Sequence, residues 1–470
     1  MDSVEKLSGA DRAWLLMDRP GNPMMIVGAI VLATPLDLAR LRALIADRFL
    51  AYSRFRCVPQ LNPLGGGTWI QSSGFDLEDH VLARPLSTGA GQPELEALVG
   101  ELASMPFATG RPLWTFHLVE HYRSGSALIV RIHHAYADGL ALLKVLFSLT
   151  DEGLEQAPVD VSAGEPQGWL ERLGEVLKEG TTLTEKAVHL ALHPKETSAL
   201  AGQTLGAVGE IARLGLLTDD PPTCLKRPLS GRRRVAWGSP LSLKEIRTLA
   251  AVLGCTVNDV LMSILAGALG RYLASRGDGV AGLKIRAALP VNLRSGGSPG
   301  SLGNFFGLVF VDLPVGIRHP LERLYAIHTG MQSLKGSPQA PAVLGLLTLI
   351  GNLPAPLEAP VIDIFSAKAS LVASNLLGPQ KPLHLSGARI AQLLFWVPQA
   401  GDIGTGVSML SYNGTLQFGV IADRDLVPQP AILVTQIEAE FERLVYLLLL
   451  GVGSRDPAVL AAPRPPARTH

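Results

Sequence analysis

A chain of 470 residues is longer than one hydrophobic core usually spans, so two globular units are expected. With 47% of its residues hydrophobic and 17% charged, the composition excludes a disordered chain and leaves room for contact with lipid. The 41 Lys and Arg residues balance 41 Asp and Glu residues, so no global field points to nucleic acid or to an acidic partner.

Met1–Lys6 lacks a basic stretch followed by an apolar one, so no secretory signal is expected and the chain reads as cytoplasmic. Met24–Ala33 is strand-like, Asp37–Tyr52 has helical periodicity, and Phe55–Leu61 is extended again. Gln92–Met105 follows as a helix, then Leu113–Tyr122 and Ser126–Tyr136 as neighbouring strands, which is α/β layering. The second of these runs into Arg131-Ile132-His133-His134-Ala135-Tyr136-Ala137-Asp138-Gly139, and Leu140–Leu146 reads as the start of a helix. Neighbouring strand residues point to opposite faces, so one histidine can face a cleft while the other packs inward. Gly139 permits a tight backbone reversal between strand and helix. A strand-to-helix turn that exposes a histidine suits a general base. The alternative is a pair of core histidines satisfied by backbone carbonyls.

Between Asp151 and Leu229 the amphipathic segments Trp169–Leu192 and Thr197–Leu217, bounded by Pro- and Gly-rich turns, predict a helical connector. His189 and His193 within it stand at i and i+4 without a third ligand, which is the pattern of an ordinary helix face. After Ser230-Gly231-Arg232-Arg233-Arg234 come helices at Leu241–Leu253 and Thr256–Leu273 and strands at Leu283–Val291, Phe305–Val315 and Ser370–Leu376. Val407–Tyr412 and Thr415–Ala422 meet at Asn413-Gly414, a hairpin signal because both turn positions favour positive φ. A helix over about Gln429–Gly451 and a loose tail from Ser454 to His470 complete the chain. Gly336–Leu357 carries no charge and Leu444–Leu450 is almost wholly aliphatic, but four prolines break the first and the second is short of the roughly 20 apolar residues of a membrane span.

Several chemistries lose their usual support. Cys57, Cys224 and Cys255 include no CxxC pair, which excludes a zinc ribbon, and no metal site is expected. Gly296-Gly297-Ser298-Pro299-Gly300 spells GxSxG, but Pro299 has no N–H to serve as the oxyanion donor of a nucleophile elbow. GxxxxGK[ST], a GxGxxG opening a helix after a strand, and HExxH are all missing. Asn413-Gly414-Thr415 is a glycosylation sequon, which carries no weight without export.

His133-His134-Ala135-Tyr136-Ala137-Asp138-Gly139 resembles the HHxxxDG motif of the bacterial wax ester synthase/diacylglycerol acyltransferase family, within the wider chloramphenicol acetyltransferase and condensation-domain superfamily. Further family strings occur in order: Leu7-Ser8-Gly9-Ala10-Asp11, Asn22-Pro23-Met24, Pro112-Leu113-Trp114, Ser230-Gly231-Arg232-Arg233-Arg234, Asn258-Asp259, and Pro290-Val291-Asn292-Leu293-Arg294. Ser374-Asn375-Leu376-Leu377-Gly378-Pro379, Leu410-Ser411-Tyr412-Asn413-Gly414 and Ala422-Asp423-Arg424 carry the resemblance to nearly the end of the chain. Where the family usually has SNVPGP this chain has SNLLGP, one proline fewer on the substrate side.

The resemblance implies an α/β fold of two chloramphenicol-acetyltransferase-like subdomains, each a mixed sheet flanked by helices. They would occupy residues 1–150 and 230–453, with the connector at 151–229, a tail at 454–470 and a tunnel between them. It implies transfer of a long-chain acyl group from acyl-CoA to a fatty alcohol or diacylglycerol, with His134 as general base and no covalent acyl-enzyme. His133 would orient the loop or pack inward, and Asp138 would hold the turn through an arginine, with Arg294 as candidate. Gly139 belongs to the same motif. Asn258 and Asp259, Pro112, Leu113 and Trp114, and Ser374 and Asn375 are the expected substrate contacts, although Thr256 and Asp259 also have capping-box spacing. Arg232, Arg233 and Arg234 are candidates for the CoA phosphates or for a solvated strand edge. No cofactor is expected, acyl-CoA being a substrate, and the site of action would be the cytoplasm or the surface of the inner membrane or a lipid droplet. Gly336–Leu357 and Ile390–Val397 are expected either to face long-chain lipid or to lie in the core. A condensation enzyme acting on carrier-bound thioesters and a catalytically silent lipid-binding protein are the alternatives.

Overall fold

The computed structural model describes residues 5–62, 65–153, 207–293, 304–335, 337, 339–351 and 358–451. Two mixed sheets organise them. The first has six strands in the order His384–Leu385, Ala388–Trp396, Met25–Leu32, Gly125–His133, Trp114–Tyr122, Val81–Ala83, with only the last pair parallel. Gly125–His133 is buried along its whole length because both faces of the sheet are covered. Alternate residues serve different cores. Leu128, Val130 and Ile132 join the cluster that contains the motif helix Gly139–Ser148, while Ala127 and Ile129 meet Leu95, Val99 and Leu102 of the helix Gln92–Ser104. That double burial explains the uninterrupted apolar run in the sequence.

The second sheet runs Phe306–Leu313, Ile285–Asn292, Leu371–Leu377, Thr405–Tyr412, Thr415–Asp423, Arg233–Trp237, with Leu241–Ser242 also paired to Thr415–Asp423. Leu371–Leu377 is parallel to both its neighbours and the other pairs are antiparallel. The hairpin turn has φ of 47° at Asn413 and 76° at Gly414, as its sequence predicts. Helix Val257–Ser275 fills the core of this half, with Val260–Ala266 and Ala268–Leu269 all buried, and packs against Pro430–Leu449 and Pro320–Leu334. Among the described residues no single helix is long and apolar enough to cross a membrane. The pair Leu243–Val252 and Val257–Ser275 passes on composition but is bent by 101°, and its second member is this core helix.

Most expected elements occur within one to three residues of their predicted bounds. Asp37–Tyr52 instead divides into the helix Leu38–Leu44 and a π-helical turn Ile45–Phe49, and the 3-10 turn Ser53–Arg56 follows it. Of the connector, the helix Ala207–Leu216 is described, whereas Trp169–Leu192, His189, His193, the GxSxG string and the tail lie outside the described residues. The helix Gly9–Leu16, the helices Pro320–Leu334, Gln339–Ile350 and Glu358–Ser366, and the strand Ala388–Trp396 were not assigned from periodicity.

That last strand crosses between the halves. It lies in the C-terminal part of the chain yet pairs with Met25–Leu32 of the first sheet, so the 1–150 and 230–453 partition is bridged by one hairpin. Its residues Ile390, Leu393, Leu394, Phe395 and Trp396, and Val397 beyond it, are buried, so of the two fates left open these residues take the core. The described part of Gly336–Leu357 forms the helix Gln339–Ile350. Its Ala342, Val343, Leu346 and Ile350 are likewise core, packed with the helix Gly9–Leu16 and the strand Phe306–Leu313. Apolar runs without charge are ambiguous between these fates, and burial takes most of the described residues of both.

Candidate active site

Strand Gly125–His133 ends at the first motif histidine, where Met25 and His133 are paired across the sheet. The chain then turns, with the His134 N–H donating to Met24 O at 2.8 Å. The helix Gly139–Ser148 starts at once because Asp138 caps it, its Oδ1 accepting the Ala141 N–H at 2.9 Å. Gly139 is the first helical residue and is not in the left-handed region, so it does not supply the expected reversal. A Cβ there would stand 3.9 Å from Leu376 Cδ1, which places the start of the motif helix against the second sheet.

The two histidines part as strand geometry requires. His133 is 1% exposed, its Nδ1 accepts the Ala135 N–H at 3.1 Å, and its Nε2 lies 3.7 Å from Asp18 Oδ2. It is an inward-facing brace. The His134 ring lies stacked on Trp14 at 4.0 Å between centroids and 5.3 Å from Phe306. Nδ1 of His134 meets Asn304 Oδ1 at 2.9 Å, and among the described residues Nε2 makes no hydrogen bond. Burial holds the imidazole down to about 4, with the charge of Asp138 the first influence opposing it. The ring is therefore neutral at pH 7 and Nε2 is the open position.

Asp138 also ties the halves together, since its Oδ2 accepts the Phe305 N–H at 3.0 Å. Arg294, its expected partner, lies outside the described residues. Asn304 is a residue that sequence reasoning missed. It stands in a loop, just before the strand Phe306–Leu313, with no periodicity or motif to mark it, yet it is 5% exposed and touches the candidate base. Trp14 was missed too. The signals near it were the family string Leu7-Ser8-Gly9-Ala10-Asp11 and the Ser8-to-Asp11 capping spacing that starts its helix, where Ser8 Oγ accepts the Asp11 N–H at 3.0 Å.

The other candidates divide. Trp114 is fully buried and its indole N–H donates to Phe55 O at 2.7 Å, so it belongs to the core beneath the histidine turn rather than to a substrate surface. Leu113 supports that turn, its carbonyl accepting the His133 N–H at 2.9 Å and its N–H donating to the Tyr136 hydroxyl at 3.0 Å. The Pro112 carbonyl accepts the Trp114 N–H. Asn258 and Asn375 do come together, the Asn375 amide 3.5 Å from Asn258 Oδ1 at an exposed position, while the neighbouring Ser374 is buried. Asp259 is turned away as half of a capping box: its Oδ2 accepts the Thr256 N–H and lies 2.8 Å from His328 Nδ1. Of the two readings left open for Asp259, the structure shows the cap. Cys255, Asp259 and His328 offer metal-type donor atoms within 4.8 Å of one another, but the Asp259 oxygen nearest the histidine is already shared by these two donors.

The arginine triplet is corrected in its middle member. Strand alternation turns Arg233 inward, 6% exposed, where it donates to Gly404 O at 3.2 Å and to Asn22 Oδ1. It locks the N-terminal segment to the second half and is out of reach of a solvent-borne phosphate. Arg232 and Arg234 are exposed.

The profile of the wax ester synthase/diacylglycerol acyltransferase catalytic domain matches residues 7–261, more than half of the chain, and that of the WS/DGAT C-terminal domain matches residues 302–445. The chain belongs to the wax ester synthase/diacylglycerol acyltransferase family. It is an acyltransferase. A Mycobacterium tuberculosis protein that carries the name diacylglycerol O-acyltransferase is 30% identical to it, over 96% of this chain and 92% of that protein. A second from the same organism is 27% identical over 85% and 86%. The solved wax ester synthase/diacylglycerol acyltransferase from Marinobacter aquaeolei VT8 has the same fold, with a TM-score of 0.68 at 21% identity, covering 95% of this acyltransferase and 100% of that chain. The first condensation domain of the calcium-dependent antibiotic synthetase shares the fold more loosely, with a TM-score of 0.57 at 13% identity over 95% and 96%.

Proposed function

We propose that this acyltransferase moves a long-chain acyl group from acyl-CoA to the hydroxyl of a fatty alcohol or a diacylglycerol, with His134 as the general base. The observation that carries the reading is the open Nε2 of a neutral His134 whose other nitrogen is held by Asn304, at the junction of the two halves. Nε2 takes the hydroxyl proton as the oxygen attacks the thioester carbonyl. The tetrahedral adduct collapses by breaking the C–S bond, and the departing thiolate receives the proton from the imidazolium. The products are an ester and free CoA. A thiol has a pKa of about 8.5 against the far higher value of an alcohol, so thiolate departs in preference to alkoxide and needs little acid assistance. Nothing in this sequence requires an acyl-enzyme or a cofactor.

The acceptor is a lipid, so the reading includes action in the cytoplasm at the inner-membrane or lipid-droplet surface. Tyr446, Leu449 and Leu450, at 64%, 78% and 61% exposure at the end of the helix Pro430–Leu449, are apolar groups available to such a surface. The deciding assay gives purified protein palmitoyl-CoA with hexadecanol or dipalmitoylglycerol and follows thiol release together with lipid product. Ester formation with either acceptor supports the reading. Turnover only with carrier-bound thioesters would make it a condensation enzyme, and binding without turnover would make it a lipid-binding protein.

A further inference from the structure

The groups behind His134 form a connected path that the proposed proton transfer itself does not use. Asn304 Nδ2 donates to Asp11 Oδ1 at 2.8 Å and to the carbonyl of His134 at 3.0 Å, while Asn304 Oδ1 faces His134 Nδ1 at 2.9 Å. Asp11, His134 and Asn304 are 1%, 4% and 5% exposed and come from three separate segments of the chain. The orientation of the amide is decided by its partners. A peptide carbonyl can only accept, so the NH2 must face it and the adjoining carboxylate, which leaves Oδ1 as an acceptor for the imidazole. Nδ1 of His134 therefore carries the hydrogen, and Nε2 carries the lone pair.

We propose that Asp11, acting through Asn304, is a positioning residue for His134: it fixes the tautomer that leaves Nε2 basic and stabilises the imidazolium formed when Nε2 takes a proton. The inference rests on the assignment of His134 as the base. Asn304 passes no proton. Its amide dipole, with the oxygen toward the ring and the nitrogen toward the carboxylate, transmits the negative charge of Asp11 as polarisation of the hydrogen-bond chain. The same helix presents Trp14 one turn after Asp11, so a single element supplies both the ring's stacking face and its distal carboxylate.

Asp11 is itself set up to titrate. Burial pushes it up to about 6, with the hydrogen bonds from Asn304 and Ser8 acting the other way. The facing charge is Arg54, from the turn Ser53–Arg56, whose Nη1 lies 3.7 Å from Asp11 Oδ2 and which also pairs with Glu5. Arg12, on Asp11's own helix, points elsewhere and donates to Gly351 O at 2.6 Å. The helix Gln339–Ile350 packed alongside brings no charged residue. Protonation of Asp11 removes the charge that supports the imidazolium, so kcat falls as the pH drops through about 6.

The test compares Asp11→Asn, which keeps an acceptor oxygen without the charge, with Asn304→Ala, which cuts the path without touching the helix N-terminus. Thiol release from palmitoyl-CoA with hexadecanol is measured across pH. Both variants are expected to lose kcat by roughly 10–100-fold, the range for groups that orient a metal-bound histidine from behind, with KM for palmitoyl-CoA unchanged. Asp11→Asn is also expected to lose the acid limb of the pH profile. In parallel, ring-nitrogen resonances of isotope-labelled histidine, with His134 assigned by its loss in His134→Gln, should show hydrogen on Nδ1 in the wild type. Wild-type kcat in a folded Asp11→Asn variant, or hydrogen on Nε2 in the native protein, would overturn the proposal. Retained turnover in His134→Ala would defeat the base assignment instead, and the ring-nitrogen spectrum would still decide the tautomer.

Discussion

Replacing Asp138 by asparagine keeps the size of the side chain while removing its charge and one of its acceptor oxygens. In the native protein Oδ1 takes the Ala141 N–H at 2.9 Å and Oδ2 takes the Phe305 N–H at 3.0 Å, with the residue 4% exposed. An amide has one oxygen, so its NH2 group must confront one of these two donors. The lost hydrogen bond to a charged group is worth about 1.5–3 kcal/mol, and the lost anion at a helix N-terminus about 0.3–1 kcal/mol. A cost of about 2–4 kcal/mol corresponds to a drop in melting temperature of roughly 5–10 °C for a unit of this size. The rate should fall as well, because the charge of Asp138 is the first influence opposing the burial that depresses His134. The assay is circular dichroism melting at one fixed scan rate, paired with thiol release. Asp138→Ser is the second variant: its hydroxyl keeps the cap and, unlike the amide, sets no NH2 against the Phe305 N–H, so the melting temperature should lie between those of Asp138→Asn and the wild type while the rate stays low. An unchanged melting temperature in Asp138→Asn with a large loss of rate would refute the bracing role and make Asp138 a direct participant in the chemistry.

His134→Ala is expected to lose about 10²–10⁴ of turnover, the usual contribution of a general base, with an unchanged circular dichroism spectrum, and His133→Ala to lose less. Equal activity in the His134 variant and the wild type would sink the assignment. The depressed pKa of His134 also makes stability depend on pH. The folded protein takes up this proton less readily than the unfolded chain, so the contribution is fully present above about 6.5 and is lost as the pH falls toward about 4. Urea unfolding over this range should show a shallower fall for His134→Gln than for the wild type, and parallel curves would contradict the burial of the ring. Leu394→Asp places a charge in the buried strand Ala388–Trp396, so the melting temperature should drop and activity with short- and long-chain acceptors should fall together. Selective loss with the long-chain acceptor at an unchanged melting temperature would return this strand to the lipid-facing reading.

Much of the scaffold was legible because its signals are local. Gly125–His133 was visible as an apolar run, the Asn413-Gly414 hairpin from the φ preference of two residues, and Val257–Ser275 from its apolar character and its cap. The motif turn was equally local: its strand, its histidines and its capping aspartate are consecutive in the chain. Asp259 shows where such reasoning stops. The capping-box spacing was readable, but the choice between cap and substrate contact depended on His328, 69 residues away. Arg233 is similar, since an arginine triplet reads as exposed until Asn22 and Gly404 are brought to it.

The sequence by itself determined the layered α/β class, the place of the histidine turn and, through its motifs, the family. Each depends on residue types at short, regular separations, where backbone geometry alone dictates which side chains share a face. Only the tertiary structure decided that the hairpin His384–Leu385 and Ala388–Trp396 completes the first sheet, and that Ile390–Val397 is core. It alone brought Asn304 to His134 across 170 residues and Asp11 to Asn304 across 293. Asp11 ends the family string Leu7-Ser8-Gly9-Ala10-Asp11 and Asn304 stands alone in a loop, and neither has a periodicity that ties it to His134. Their meaning comes from partners that only the packing of the two halves supplies.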